Sequence, residues 1–454
     1  MTADMRGCCY SLRLGYHIQF IYLTKTIFRK VVIIMNHTLF VGIDVSLKSN
    51  QVYAMNFNED KLLNSSFANT PEGSELFVSK IVEIINQYKF DKVLFAMECT
   101  GVYYIHIATF LSTHPTLNNL NCFVYTVNAK SIDKYKDSYI EIEKTDPTDA
   151  FIIADFIRVG RTKSLSPFKG SQFLALQRLT RQRKHLADQI SKEKCYVSAN
   201  IFLKFSAISN SEEKVFCNTF GKTSSSILTD FLSTEDIINT PIDELVDFIS
   251  IKGKNRFKNP EDKANILVKA ARDSYRLDKV SYEAVGSAIA SSLTVINCLQ
   301  NEIKNVDNAI SKVIKGFDNN CYQILLSVPG IGPVFAAGIM AEIIDISFFK
   351  SHNQLAKYAG LYWPRHQSGE FEHSDKPMAK SGNMYLKYYV TEATNRARIK
   401  DPIFKQFYEN KFIEAKTHQH KRALALSSRK FIRLIFGLLC KNQLYVPNKL
   451  DNLT

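Results

Sequence analysis

Four acids stand where the backbone could deliver them to one place. Asp44 lies in FVGIDVS near the end of an apolar run, and Glu98 closes the run VLFAMECTG. Each is a carboxylate carried from buried strand to sheet edge, a position that is costly unless the charge is paired or bound to a cation. Asp146 and Asp149, in KTDPTDAFIIADF, are three apart and so share nearly one face of the helix that begins there. Carboxylates converging from two strands and a helix make an oxygen-lined site suited to one or two Mg²⁺ ions, with Mn²⁺ as a substitute. Such ions polarise a phosphodiester and activate or orient the attacking group. Taken singly, each acid has a plainer reading. An acid at a strand end can simply be solvated, and Asp146-Pro147-Thr148-Asp149 suits an N-cap, an N1 proline and an N3 acid. The order D, E, D, D within one α/β unit argues for chemistry.

Two further groups lie late in the chain. Ser327-Val328-Pro329-Gly330-Ile331-Gly332-Pro333 separates two apolar helical stretches and reads as a helix-hairpin-helix. Gly330 and Gly332 let such a turn approach a phosphate, and the amides opening the next helix donate to it without reading sequence. An ordinary helix turn punctuated by Gly and Pro has the same composition. Downstream, Ser368, Ser374 and Ser381 are candidate nucleophiles. Ser368 precedes Gly369 in a polar loop, where a hydroxyl is exposed and backbone amides are free. A loop serine needs an activator before it attacks anything. His366 and His373 flank it as candidate bases, and a cation held by the acids could assist it instead.

Alternating strands and helices must position the acids. The patterns predict strands over 39–45, 52–57, 93–97 and 122–127, and helices over 75–88, 102–111 and 147–159, an order that resembles a ribonuclease H-like layer. Residues from about 172 to 317 read as long helices. Leu174, Leu176, Leu179, Leu186 and Ile190 form one apolar stripe, and Val295, Leu299, Ile303, Val306, Ile310 and Val313 another, as in a helical hairpin or coiled coil that would favour dimers. The Ser-, Asn- and Lys-rich stretch 206–260 reads as an insertion. The expected divisions are 1–36, 37–165, 166–318 and 319–454.

With 454 residues, 45% of them hydrophobic and 22% charged, the chain has the composition of several globular domains. No uninterrupted apolar run approaches a membrane span, so the expectation is a soluble protein with no membrane partner. Nine cysteines without a CxxC pair suit neither a disulfide scaffold nor a zinc site, and a reducing cytoplasm is the expected setting. The net charge is +14, and it is local. Between Lys376 and Lys441 fifteen Lys or Arg face four acids, a net +11, while the first 34 residues carry +4. Such a concentration suits a polyanionic partner, nucleic acid first, although a solvated Lys-rich helical face looks alike. Residues 1–34 differ from the rest, and because a clean strand pattern begins just after Met35, the expectation is a disordered or spurious extension.

GIDVSLKSN, MECTGVYY and KTDPTDA resemble the three blocks of the DEDD domain in bacterial insertion-sequence transposases of the IS-one-ten group, which also includes pilin-gene-inverting recombinases. The resemblance runs over most of the chain from about Leu39. It implies a RuvC-like domain in which Asp44, Glu98, Asp146 and Asp149 bind Mg²⁺. The segment LAKYAGLYWPRHQSGEFEHSDKPMAKSGNMYLKYYVTEA is similar to the family's C-terminal domain, G-L-x-P then S-G then K-x-G-N-x-x-L, whose S-G serine attacks DNA. That serine corresponds to Ser368. Lys380, Asn383 and the adjoining Lys387 join Gly330 and Gly332 as expected nucleic-acid contacts. Two departures stand out: Trp363 precedes the proline, and Lys387 stands where the family commonly has Arg, which keeps the charge but loses the forked donor.

The resemblance implies a recombinase for double-stranded DNA that works through a covalent phosphoserine, as a dimer to tetramer, guided by a structured bridge RNA. Two alternatives compete with it. One is a RuvC-like metal-dependent nuclease or junction resolvase with no covalent serine; the other is a noncatalytic nucleic-acid-binding scaffold.

Overall fold

The computed structural model describes residues 37–447 apart from 100, 140–144, 161–165, 169, 211–214, 217, 318, 365–366, 369–370 and 373–376. The extension expected over 1–36, together with His366, His373 and Ser374, lies outside the described residues. The chain forms two compact units, one ending at Ser171 and one beginning at Gln172.

In the first unit β1 (Thr38–Val45) is followed by β2 (Ser49–Met55), β3 (Lys61–Ala68), α1 (Pro71–Tyr88) and β4 (Lys92–Glu98). Then come α2 (Tyr104–Thr113), α3 (Pro115–Asn118), β5 (Cys122–Val127), α4 (Ala129–Lys136), α5 (Asp146–Arg158) and the short β6 (Ser166–Pro167). The strands lie side by side in the order β3-β2-β1-β4-β5-β6. β2 runs antiparallel to both β1 and β3, whereas β1, β4 and β5 are parallel. The continuous apolar runs of β1 and β4 follow from this placement, because a central parallel strand is covered on both faces. Leu39, Val41, Ile43, Phe95 and Met97 pack under Phe77, Ile81, Ile107 and Leu111 of α1 and α2. On the other face Phe40, Leu94 and Ala96 pack under Ile152, Ile153 and Phe156 of α5. Strand β3 was not expected: KLLNSSFA lies at the sheet edge and is mostly exposed or half-buried, so it lacks a strong apolar alternation.

The second unit is helical. It consists of α6 (Gly170–Lys204, beginning at the boundary), α7 (Ser206–Asn210), α8 (Lys222–Asp230), α9 (Thr234–Asn239), α10 (Ile242–Gly253), α11 (Pro260–Arg272) and α12 (Lys279–Ile314). These are followed by α13 (Asn319–Leu326), α14 (Pro333–Ile343), a 3₁₀ turn at Ile346–Phe348 and α15 (His352–Tyr358). The paired strands β7 (Gln367–Ser368) and β8 (Phe371–Glu372) precede α16 (Met384–Lys400), α17 (Pro402–Glu414) and α18 (Gln419–Lys441). α6 and α12 run antiparallel. Ile190, Val197 and Ile201 share a cluster with Ile289, Leu293 and Ile296, while toward the other end Leu176 joins Ile310 and Ile314. Arg183 Nε donates to Asp307 Oδ1 at 2.6 Å between those two contacts. Of the expected stripe, Leu299, Ile303, Val306, Ile310 and Val313 pack on these cores, whereas Val295 is 44% exposed and Leu293 and Ile296 face inward in its place. The stretch read as an uninformative insertion forms helices with a core of their own, including Phe205, Ile227, Ile237, Leu245, Ile249 and Leu267. Buried Lys204 closes this subdomain by donating to the carbonyls of Leu228 at 2.8 Å and Phe231 at 2.7 Å, where α8 ends. Burial holds its pKa below the ordinary lysine value.

Candidate active site

β1 and β4 bring two of the acids together. Their parallel register sets Ile43 beside Met97, so the next residues, Asp44 and Glu98, are neighbours at the rim where both strands leave the core. The other two acids arrive from α5, which lies directly on β1. A Cβ built on Gly42 would meet Ala150 O at 2.1 Å and Ala154 N at 2.4 Å, so only glycine admits the helix at this distance. This seat places the first turn of α5 over Asp44. Thr145 is the N-cap of that helix and Asp146 its first residue, which corrects the capping scheme the sequence suggested. Neither acid caps the helix from the expected place.

Asp44 feels the other three acids. Burial first, then the charges of Asp149, Asp146 and Glu98, raise the Asp44 pKa from 3.8 to about 6, against the opposing charge of Lys136. Negative charge is therefore concentrated around Asp44 in excess of its internal compensation. Among the described residues no three acidic, His or Cys side chains are gathered into one coordination sphere. The donors nevertheless fit Mg²⁺: they are hard oxygens, and this ion is usually held by one or two carboxylates while keeping several waters.

Sequence reasoning missed the elements that frame this rim. Asp155 is buried on α5 and accepts from the hydroxyls of Tyr135 and Tyr139, while Arg158 Nε donates to its Oδ1 at 2.7 Å. Those tyrosines lie on or just beyond α4 and fasten it to α5. Between them Lys136 Nζ donates to Asp149 Oδ1. Lys136 is one of three lysines in AKSIDKYK and nothing in that segment singles it out; the buried Asp155 on an apolar helix face, needing partners, was the readable clue.

In the second unit the expected hairpin is two helices, α13 and α14, joined by Ser327–Gly332. Gly330 has φ +98°, and a Cβ there would stand 2.4 Å from Ala397 N, so this glycine is demanded by packing on α16. Gly332 is the N-cap of α14, and space beside it is open. Asn383 caps α16 by accepting from the amides of Tyr385 and Leu386, each at 3.0 Å. Its amide nitrogen donates to Glu342 Oε2 at 2.7 Å and to the Tyr358 hydroxyl at 3.0 Å. Glu342 is buried and also takes a forked pair from Arg181, Nε to Oε1 at 2.8 Å and Nη2 to Oε2 at 3.0 Å. Both ends of the Asn383 side chain are thus committed inside the protein. Glu342 was missed, although one acid within PVFAAGIMAEI announces a buried partner. Gly382 approaches Gly360 closely: a Cβ on Gly382 would stand 2.5 Å from Gly360 N, which holds the K-S-G-N block against the A-G-L block.

Lys380 is exposed. Lys387 is half-buried on α16, where burial lowers its pKa. Ser368 does not sit in an open loop: it ends β7, with Ser368 paired to Phe371 and Gln367 to Glu372. Ser381 is half-buried, and its carbonyl lies 2.6 Å from where a Cβ on Gly360 would be. Among the described residues no helix is long and apolar enough to cross a membrane.

Comparison with known proteins places these parts in a family. Residues 41–205 match a DEDD-type IS110 transposase model, and residues 322–409 match the model described as Transposase IS116/IS110/IS902 family. The chain is 22% identical over 410 residues to the insertion element IS116 uncharacterized 44.8 kDa protein of Streptomyces clavuligerus, covering 90% of this chain and 96% of that one. It is 27% identical over 159 residues to the transposase for insertion sequence element IS1111A of Coxiella burnetii, covering 33% of this chain and 43% of the relative. Among solved structures, T. thermophilus RuvC in complex with a Holliday junction substrate aligns with a TM-score of 0.23 and 11% identity, over 29% of this chain and all of that one. With both domain models matched on one polypeptide and a relative aligned along nearly its whole length, the chain belongs to the IS116/IS110 family of transposases.

Proposed function

We propose that this transposase cuts and rejoins DNA through a covalent ester on Ser368, assisted by Mg²⁺ at the acidic rim and guided by a structured bridge RNA. The observation that carries the reading is structural: the β1–β4 register delivers Asp44 and Glu98 to one rim, and the seat at Gly42 lays the helix that begins with Asp146 and Asp149 on the same strand. The strand order, with β2 reversed beside parallel β1, β4 and β5, supports a RuvC-like, ribonuclease H-like interpretation of the first unit.

In this mechanism the Ser368 hydroxyl attacks a DNA phosphorus. A new Oγ–P bond forms, a bridging P–O bond breaks, and the departing sugar oxygen takes up a proton. Attack by a hydroxyl of the second strand reverses these changes and frees the serine. Because each ester replaces another, strand exchange needs no external energy source. Asp44, Glu98, Asp146 and Asp149 would hold the ion, which supplies charge neutralisation at the phosphate. The chain's own task is to orient those oxygens: β1 and β4 fix two of them, and the seat of α5 at Gly42 fixes the others. Lys380, Gly332 and Lys387 would contact nucleic-acid backbone. In this reading the chain works as a dimer to tetramer.

RNA extracted from the natively purified protein is expected to contain one discrete structured species encoded beside the gene. Recovery of random cellular RNA alone would defeat the guidance part of the proposal. Among the described residues Lys387 has no ion-pair partner, so Lys387→Met is expected to weaken DNA or RNA binding across sequences. The slope of log affinity against log salt should shrink by about 0.9 for duplex DNA. An unchanged slope in fluorescence anisotropy titrations would remove Lys387 from the phosphate contacts.

A further inference from the structure

The acidic rim contains one cation of its own. Lys136 Nζ donates to Asp149 Oδ1, and its charge also acts on Asp44. The lysine and aspartate side chains keep only 24% and 26% of their exposure, so the pair is shielded more than a surface ion pair. Its placement is built into the fold. Tyr135 and Tyr139 both donate to buried Asp155, three residues short of the end of α5, and Tyr135 packs edge-on against Phe156 with ring centroids 5.3 Å apart. α4 is therefore fastened to α5 by residues on both sides of position 136, and the ammonium is brought to the first turn of α5. Lys134, on the same helix, is exposed and takes no part in this contact.

The buried Arg181–Glu342–Asn383 network holds α16 and needs no ligand. The small apolar hollow lined by Ile324, Met340, Ile343 and Leu439 offers nothing to identify an occupant. The exposed Phe123, stacked with Tyr125 and covered by Lys92, lies at the opposite end of β5 from the acids. Lys136 differs from these because it makes direct contact with a carboxylate proposed to act in the reaction.

We propose that Lys136 is an internal counter-ion that holds the acidic rim together before metal binding and must withdraw from Asp149 for the divalent ion to bind. The inference rests on the metal reading given above. A monovalent ammonium and a divalent ion would compete for the same oxygen, so the lysine raises the threshold at which the site fills. The displaced side chain, on its flexible stem, would then be free to meet a phosphate. The site would consequently remain unloaded at low metal concentration while its carboxylates stay partly neutralised.

The test is calorimetric titration of the full chain with Mn²⁺ as the probe, free of nucleic acid. Lys136→Met should bind Mn²⁺ about five-fold more tightly than wild type. It should also melt at a lower temperature than wild type in EDTA and gain more from added Mn²⁺. Lys136→Arg retains the charge and should stay near wild-type affinity, and Lys134→Met should change affinity by less than half as much. Equal or weaker binding by Lys136→Met would overturn the proposal, as would equal tightening by Lys134→Met, which would reveal only a general field. Lys136→Gln provides a second neutral variant should Lys136→Met fail to fold, with the same expected direction. Wild-type protein that binds no Mn²⁺ would instead bring down the metal reading itself, and the inference with it.

Discussion

Ser368→Ala is expected to eliminate the covalent protein–DNA adduct and to reduce strand exchange on the order of ten-thousand-fold or more, while DNA binding survives. The effect should be this large because an ester mechanism has no weaker version: without the hydroxyl no Oγ–P bond forms, and the bond energy that rejoining needs is lost to water or never captured. Denaturing gels of labelled DNA incubated with the protein would show the adduct as a band that resists detergent. Ser381→Ala serves as the matched control, since Ser381 is half-buried where the Gly360 and Gly382 backbones meet. It should alter folding or affinity modestly and leave the adduct in place. Were the adduct to persist in Ser368→Ala and vanish in Ser374→Ala or Ser381→Ala, the nucleophile would have to be reassigned. Metal-dependent cleavage with no adduct in any variant would favour a hydrolytic nuclease.

The second large effect concerns the acids. Asp44→Asn and Asp149→Asn are each expected to lower metal-dependent recombination on the order of a thousand-fold, because both remove charge that would face the phosphate-bound ion while keeping side-chain volume. For Asp44→Asn, stability should move the other way. The folded-state pKa of Asp44, about 6, lies above its ordinary 3.8, so the folded chain holds this proton more tightly than the unfolded one. The associated stabilisation is present at low pH and is lost as pH rises through about 6. Metal-free Asp44→Asn should therefore melt above wild type at pH 8, with the difference closing below about pH 4. Thermal melts in EDTA at several pH values, read beside recombination assays, would check both halves. Normal recombination by Asp44→Asn would mean that the acidic rim has no part in the reaction.

The acids were legible because each has a regular setting. Asp44 and Glu98 end uninterrupted apolar runs, and Asp146 and Asp149 begin a largely apolar helix that is buried from Ile152 to Ile157, so local pattern alone placed them at element ends. Their mutual approach depends on Gly42, whose role as the seat of α5 appears only once strand and helix are packed. Lys136 was invisible for a similar reason: its meaning arises from the Tyr135, Tyr139 and Asp155 clamp across 20 residues of sequence. β3 escaped detection because an edge strand need not alternate cleanly. Asn383 gains a structural role that its motif did not announce. A motif position read as a nucleic-acid contact has its carbonyl capping α16 and its amide held by Glu342 and Tyr358. In the hairpin, Gly330 likewise answers first to Ala397, and Gly332 alone of the two has room beside it.

The long helix α6 has a practical bearing on hybrid recombinases. The first family match runs to residue 205, which makes the end of that helix an inviting splice point. Leu176, Thr180, Arg181 and Arg183 all lie upstream of it, yet they engage Ile310, the Tyr389 hydroxyl, Glu342 and Asp307 respectively. Grafting a foreign front half at 205 would strip Glu342 of its Arg181 pair, leaving it Asn383 alone, and would part Asp307 from Arg183 and the Tyr389 hydroxyl from its acceptor. A junction close to 171 would transplant one self-sufficient fold onto another, and shuffled libraries crossed there should return far more foldable progeny.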